Sequence, residues 1–347
     1  MPLREAAKLA AHASGALAAY HRVRNHRTLT VLMFHRVLPA AERDASGADP
    51  LWTISTELFE QVLGYLVRHY NPVGLDDVLA ARMRRIALPP RALLMSFDDG
   101  WHDNLDYALP LLRRFGVPAA VFVASDAIDE QRTCWWQDVL SWSMRSGAKD
   151  AGALWREAGF ATSQATSELQ LLCRYGELEP ARREGLLRPQ AEALERRQPR
   201  PQMADPPSLR ALASAGVAIA VHGASHLPLT ELADPAADLQ RARERIALHM
   251  GASGSVALSF PHGRYDPRIV AAARGLGFKL LFTSDPVINS CPGGWLESDL
   301  IGRIPVFAKS IARAGEFLSE PKLATWLFVR PRRILADQAG SNLQHTL

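Results

Sequence analysis

An α/β protein built on about seven parallel strands is what the sequence predicts, and three observations predict it. Apolar runs rich in β-branched residues alternate with helical patterns along most of the 347 residues. Strands separated by helices at this spacing make βα units around a parallel sheet. The composition, 48% hydrophobic and 22% charged, is that of a globular chain able to bury a large core. Finally, the residues able to do chemistry fall where apolar runs stop. Seven strands suit a closed barrel and an open doubly wound sheet alike.

The first segment, "MPLREAAKLAAHASGALAAYHRVRNHR" (1–27), reads as an Ala-rich helix. It is interrupted by Lys8 and His12 and falls short of the ~20 apolar residues that span a bilayer. Glu5 in its charged region makes it a poor signal peptide. A helix packed on the domain is one reading; a helix lying on a membrane surface through its basic residues is the other. The expected location is cytoplasmic, with membrane association through this helix. The strands then follow as "TLTVLMF" (28–34), "RALLMSF" (91–97), "VPAAVFV" (117–123), "VAIAVH", "SVALSF", "FKLLFTS" and "LIGRIPVF". Amphipathic patterns at 57–70, 103–115, "PSLRALASAG", 235–249 and 266–275 predict the helices between them. Residues 28–128 and 207–308 thus form the core domain. Residues 129–206, rich in Arg, Glu, Gln and Ala, break the rhythm and predict a helical insertion or cap; 309–347 form a C-terminal extension. Within "CWWQDVLSWSM", Trp135, Val139 and Trp142 share one helical face, as a core stripe or as the wall of a sugar cleft.

A formal net charge of +4, carried by scattered arginines, leaves no nucleic-acid footprint. Cys134, Cys173 and Cys291 are odd in number and far apart, so neither a disulfide framework nor a thiolate metal site is expected, and a reducing compartment fits.

"LLMSFDDGW" (93–101) runs from a buried strand into Asp98 and Asp99. A double Asp alone means little, since Asp76 and Asp77 in "GLDDVLA" serve as well to open a helix. Its neighbours give it meaning. His35, His222, Pro261 with His262, and Asp285 each follow another strand, and the carboxyl ends of parallel strands converge on one face. "HGASH" adds His226. Two imidazoles opposite a carboxylate suit a divalent metal, Zn²⁺ best, with a position left for water.

With these residues in view, "SFDDG" resembles the first motif of the NodB-type polysaccharide deacetylases, carbohydrate esterase family four. "HGASH" is similar to their second motif, His-Ser/Thr-x-x-His, and "FPHGRYD" to a variant of their third. "LMFHRVLP" resembles the opening of members acting on poly-N-acetylglucosamine. The similarity spans about residues 29 to 308, insertion excluded. It implies a distorted (β/α) barrel, a metal-dependent hydrolase that removes N-acetyl groups, and an N-acetylated glycan as partner, either a polysaccharide or lipid-linked. It further implies that Asp99, His222 and His226 bind the metal, that Asp98 is the general base and that His35 is the acid. Near His262 a backbone N–H would meet the oxyanion, with Pro261, Arg303 and Trp101 as the other oxyanion or substrate residues. Two departures stand out. The Arg that often precedes the third-motif Pro is missing from "LSFPHG", where Arg264 or Arg303 offers a substitute, and the late Leu-x-His motif is absent from "IGRIPVF". Two alternatives stay open: an amidase or esterase using the same site on a small substrate, and a degenerate fold that only binds glycans.

Overall fold

The computed structural model describes residues 3–129, 134–160, 167–198, 201–250, 256–313 and 316–334. The strands are β1 (Thr28–Phe34), β2 (Arg36–Leu38), β3 (Thr53–Ser55), β4 (Asn71–Pro72), β5 (Ala92–Phe97), β6 (Ala119–Val123) and β7 (Ala218–Val221). They continue with β8 (Ala257–Ser259), β9 (Leu280–Phe282), β10 (Val287–Ser290), β11 (Leu300–Ile301), β12 (Ile304–Pro305) and β13 (Arg332–Ile334). The main sheet runs β11-β9-β8-β7-β6-β5-β1-β10-β13. Every pairing from β11 to β1 is parallel, and β1 lies beside β5 over the register Leu29↔Ala92 to Phe34↔Phe97.

The run expected as one strand, "LIGRIPVF", is divided, and the division nearly closes the barrel. β11 pairs with β9, whereas β12, two residues on, pairs with β1 through Leu32↔Ile304. Gly302 and Arg303 make the step between them. A Cβ at Gly302 would lie 2.1 Å from Val287 Cγ2 and 2.9 Å from the Asp285 carbonyl oxygen, so only glycine fits the crossing. Below β12, the antiparallel β10 fills the remaining edge of β1 (Thr28↔Ser290). The result is a nearly closed barrel of mostly parallel strands ringed by helices. The sequence reading did not include β10, which lies between two of the strands it named.

Alternation along the strands sorts side chains between two layers. Leu29, Val31, Leu94, Phe122, Ala220, Leu280 and Phe282 belong to one buried cluster with Leu75, Val78 and Ala81 of the helix Leu75–Arg82. These fill the barrel and close its lower mouth. Leu32, Phe34, Met95, Phe97 and Val121 face the outer helices. There the helix Thr56–His69, capped by the Ser55 hydroxyl accepting from Leu58 N–H, buries Leu58, Phe59, Val62, Leu63 and Leu66. Each such side chain contributes roughly 1.5–3 kcal/mol of burial.

Two helices depart from the sequence pattern for local reasons. The N-terminal segment is two helices, Leu3–Ala13 and Ala16–Arg24, because Gly15 takes a left-handed φ of 75°. The 103–115 pattern begins as a wide turn, Asn104–Ala108, before the helix Leu109–Phe115. Pro110 has no N–H to give to the preceding turn. Among the described residues no helix is long and apolar enough to cross a membrane.

Between β6 and β7 lie the helices Trp136–Arg145, Ala151–Glu157, Glu168–Gly176 and Pro180–Glu195. They share a core of Val139, Leu140, Trp142, Leu154, Leu171, Tyr175, Leu187 and Leu194. Trp135 leaves this group and joins Trp101, Ala124, Ala127 and Met203 beside the barrel mouth. Val139 and Trp142 are therefore core, and Trp135 has another role. Residues 130–133, 161–166, 199–200 and 335–347, which the predicted insertion and extension include, lie outside the described residues.

Candidate active site

β5 ends at Phe97, and the chain turns so sharply that Asp99 has φ 77° and Gly100 φ 86°. Both conformations are costly for residues with a Cβ. The turn drives the two carboxylates apart. Asp99 points across the mouth toward β7, where His222 follows Val221. Its Oδ1 lies 3.1 Å from His226 Nε2 and 3.5 Å from His222 Nε2. Ligand atoms of Asp99, His222 and His226 all fall within 4.8 Å of one another. His226 and His262 are also left-handed, with φ 59° and 55°. Three of the site's side chains thus sit on backbone that other sequences avoid.

Neighbours fix each of these groups. His222 Nδ1 lies 2.9 Å from the Ser259 carbonyl oxygen, which can only accept. The ring proton therefore sits on Nδ1, and Nε2 presents a lone pair. Burial pushes His222 down to about 4, against the raising influence of Asp98 and Asp99, so it is neutral at pH 7. Trp101 Nε1–H donates to Asp99 Oδ2 at 3.1 Å. Asp99 Oδ1 is buried with no hydrogen-bond donor. A carboxylate oxygen and an imidazole lone pair converge on the same space, an arrangement that could hold a divalent cation.

Asp98 is held differently. Arg303 donates from Nη1 to Oδ1 at 2.6 Å and from Nη2 to Oδ2 at 2.7 Å, a bidentate pair. The same guanidinium donates to the Thr283 carbonyl at 2.9 Å and the Ser259 hydroxyl at 2.8 Å. Burial works to raise the Asp98 carboxyl, but Arg303, then His222, outweigh it and hold it below the ordinary carboxylate range. Asp98 Oδ2 stands 4.0 Å from His222 Nε2, beside the convergence point rather than in it.

His35 follows β1 and is half-buried, its ring 4.3 Å from that of Trp52. Burial lowers it from the usual histidine value, opposed by Asp99 and Asp98. Its Nδ1 has no partner. His262 is exposed and donates from Nε2 to the His226 carbonyl at 3.0 Å, and Pro261 is buried at the start of that turn.

Two residues expected to meet the substrate are buried. Arg303 has 0% exposure and spends both Nη groups on Asp98, and Trp101, 2% exposed, lies beneath Asp99 rather than in the cleft. The Arg303 guanidinium, buried in the step between β11 and β12, is paired as a buried charge must be. Arg264 is on the surface, paired with Glu231.

Sequence reasoning missed a second buried group. The Arg36 guanidinium lies 4.0 Å from the Trp101 ring centroid, donates to Asp103 at 2.8 Å and stands 3.7 Å from Asp138. Asp138 accepts from Asp49 N–H and from Trp135 N–H, and the Trp135 ring stacks on His226 at 4.3 Å. Arg36 thus braces Asp99 through one tryptophan and His226 through another. The usable signal was a charged residue between two apolar strands in "LMFHRVLP".

Residues 85–281 match the family model described as polysaccharide deacetylase. The chain belongs to the polysaccharide deacetylase family, whose members are hydrolases of carbon–nitrogen bonds in N-acetylated carbohydrate. Its NodB-type barrel is similar to that of the Streptococcus pyogenes deacetylase PplD, solved in complex with acetate. The TM-score is 0.54 at 15% identity, covering 82% of this chain and 95% of that one. IcaB from Ammonifex degensii aligns with TM-score 0.54 at 18% identity over 87% and 98%. A de-N-acetylase from Aggregatibacter actinomycetemcomitans gives 0.52 at 18% over 79% and 93%. At these identities the likeness is one of fold. No curated protein matches the chain in sequence.

Proposed function

We propose that this chain removes acetyl groups from an N-acetylated glycan by a cation-assisted attack of water, with Asp99, His222 and His226 holding the cation. The observation that carries the reading is the separation of the two aspartates. Asp99 faces two imidazoles across a space rich in electron pairs, while Asp98, on the next residue, is clamped by Arg303 at the edge of that space. A divalent ion there, Zn²⁺ by the donor set, would bring the pKa of a water near ~7 and polarise the acetyl carbonyl.

The remaining work falls to the chain. Asp98, ionised at neutral pH and beside the attack position, accepts the proton of the attacking water. Arg303 fixes its oxygens through two parallel hydrogen bonds. The turn at Pro261 and His262 offers one backbone donor, the His262 N–H, for the tetrahedral oxyanion. His35, on the same face and with Nδ1 free, delivers a proton to the departing amine. Trp101 keeps Asp99 Oδ1 aimed at the cation by occupying Oδ2.

Acetate release from N-acetylglucosamine oligomers, measured with metal content, tests the reading. Asp98→Asn keeps the cation and loses on the order of 10²–10⁴ in turnover, the usual worth of a general base. If Asp98→Asn loses the metal while Asp99→Asn retains it, the two roles are reversed. Metal without acetate release from any glycan, but with hydrolysis of small acetyl amides or esters, would instead select a non-polymeric substrate.

A further inference from the structure

The helix Ala16–Arg24 is inverted with respect to the domain it packs on. Ala16, Ala19, Tyr20 and Val23 recur at the i, i+3, i+4, i+7 spacing of one helical face, and all four are exposed. Such a stripe normally meets the core. Here the inner face is mostly polar, with Leu17 half-buried beside it. His21 and Asn25 are buried, Asn25 Nδ2 lying 2.8 Å from His21 Nδ1 and His21 Nε2 3.2 Å from the His69 carbonyl oxygen. Arg24 donates to the Phe328 carbonyl at 2.9 Å and to the Pro331 carbonyl at 2.6 Å. These bonds fix the roll of the helix and hold the apolar stripe outward, with Val23 82% exposed.

A second exposed segment adjoins this helix at the closed end of the barrel. After the helix Leu75–Arg82, the side chains of Met83, Arg84, Arg85 and Ile86 are all exposed. Arg91 N–H donates to the His26 carbonyl at 3.1 Å, and Leu88, Pro89 and Pro90 share a cavity of about 200 Å³ with His26 and Arg27. Of the eight large hydrophobic side chains exposed among the described residues, Leu9, Tyr20, Val23, Met83 and Ile86 belong to the N-terminal helices and this segment. Exposed apolar surface gathered in this way marks an interaction site. Charge follows the same plan. The arginines are scattered along the chain, but their excess is local. Residues 1–27 hold Arg4, Lys8, Arg22, Arg24 and Arg27 against Glu5, which is the whole formal net charge of +4, and the rest of the chain balances. Arg22, Arg27, Arg84 and Arg85 pair with no acid among the described residues, whereas Arg68, Arg114, Arg264 and Arg274 elsewhere on the surface do. Asp76 and Asp77 stand at the other end of the helix Leu75–Arg82, where Asp77 accepts from Gly74 N–H at 2.8 Å.

We propose that this end of the barrel, the outward face of the helix Ala16–Arg24 together with residues 83–86, lies on the surface of a lipid bilayer that carries anionic headgroups. The unpaired guanidinium groups meet the phosphate layer while Tyr20, Val23, Met83 and Ile86 enter the interface, the two signals that peripheral attachment combines. A nucleic acid would use the cations but leave the apolar stripe in water. A second copy of the chain would bury the stripe but set like charges face to face. The inference is independent of the deacetylase reading. β1 begins at Thr28, just past this helix, and His35 follows its other end, so the mouth that holds Asp98 and Asp99 stays open when the closed end is bound.

The test is co-sedimentation of the full chain with vesicles of phosphatidylcholine alone and with vesicles of equimolar phosphatidylcholine and phosphatidylglycerol. Binding is expected on the anionic vesicles and not on the neutral ones, and it weakens as salt is raised. Each cation near such a surface is worth about fivefold in binding, so Arg84→Gln/Arg85→Gln weakens it about 30-fold. Val23→Ser/Ile86→Ser weakens it about tenfold or more, because those side chains no longer gain by entering the interface; this loss, unlike the first, persists at high salt. All four side chains are exposed, so both variants are expected to melt with the wild type. If either melts lower, the single change Arg22→Gln, expected to cost about fivefold, takes its place. Absence of binding to the anionic vesicles, equal binding to both compositions, or wild-type binding by either well-folded variant overturns the proposal. Dimerisation that Val23→Ser/Ile86→Ser abolishes, seen by sedimentation velocity without vesicle binding, would give the face to a second copy. Capture of duplex DNA without vesicle binding would give it to nucleic acid. Either result also overturns the membrane assignment.

Discussion

Replacing Arg303 by methionine is the sharpest perturbation the structure offers, because it removes one half of a fully buried ion pair and leaves the other half in place. Both Asp98 oxygens accept from this guanidinium at 2.6 and 2.7 Å, and neither partner reaches solvent to any useful degree. Breaking such a pair on one side costs about 3–5 kcal/mol, since the remaining charge stays buried without compensation. At about 2–4 °C per kcal/mol for a chain of this order of size, the melting temperature falls by roughly 6–20 °C. The pH dependence has a defined sign. Asp98 is held below its unfolded value, so the pair's contribution is present above about pH 4 and is lost as pH falls toward the depressed folded value. The gap between wild type and variant therefore closes in acid. Burial without Arg303 drives Asp98 upward, so the acid limb of kcat/KM moves to higher pH. Calorimetry between pH 3 and 8, with the double variant Asp98→Asn/Arg303→Met to complete a thermodynamic cycle, measures each part. Arg303→Lys restores a charge but not the two-pronged geometry and is expected to recover only part of the loss. A variant that melts within 2 °C of wild type at pH 7, or a gap that persists unchanged at pH 3, would refute the assignment of Arg303 as the anchor of the base.

Three further outcomes are expected. Asp99→Ala, His222→Ala and His226→Ala each lower bound metal and acetate release together, and full metal occupancy in all three, measured by atomic emission, would sink the ligand set. His35→Gln flattens the alkaline limb of the pH–rate profile, which in the wild type lies below the ordinary histidine value because burial lowers His35, so activity falls as pH rises through it; an unaltered limb removes His35 from proton delivery. Arg36→Met weakens metal affinity by about 10–100-fold in a chelator competition, as loss of outer supporting contacts does, since Trp101 and Trp135 then lose their common brace; unchanged affinity would show that the tryptophans hold Asp99 and His226 unaided.

The alternation of strands and helices and the clustering of Asp98, Asp99, His35, His222, His226 and His262 on one face were legible in the linear sequence. Parallel strands converge at their carboxyl ends whatever lies between them, so a polar residue that stops an apolar run declares its destination locally. The resemblance of "SFDDG" and "HGASH" to deacetylase motifs rests on the same short-range spacing. What only the tertiary structure decided depends on contacts between distant segments. Arg303 lies 205 residues from Asp98; the sequence reading offered it, with Arg264, as a substitute for the missing motif arginine and also set it among substrate-facing groups, and only the fold puts its guanidinium on Asp98. The split of that run into β11 and β12 follows from the Val287 side chain and the Asp285 carbonyl crowding Gly302, which no strand propensity encodes. Trp135, Val139 and Trp142 share a helical face in the sequence, yet Trp135 stacks on His226 while the other two join the core of the inserted helices. Periodicity tells which side chains leave a helix together, and only packing determines what each of them meets.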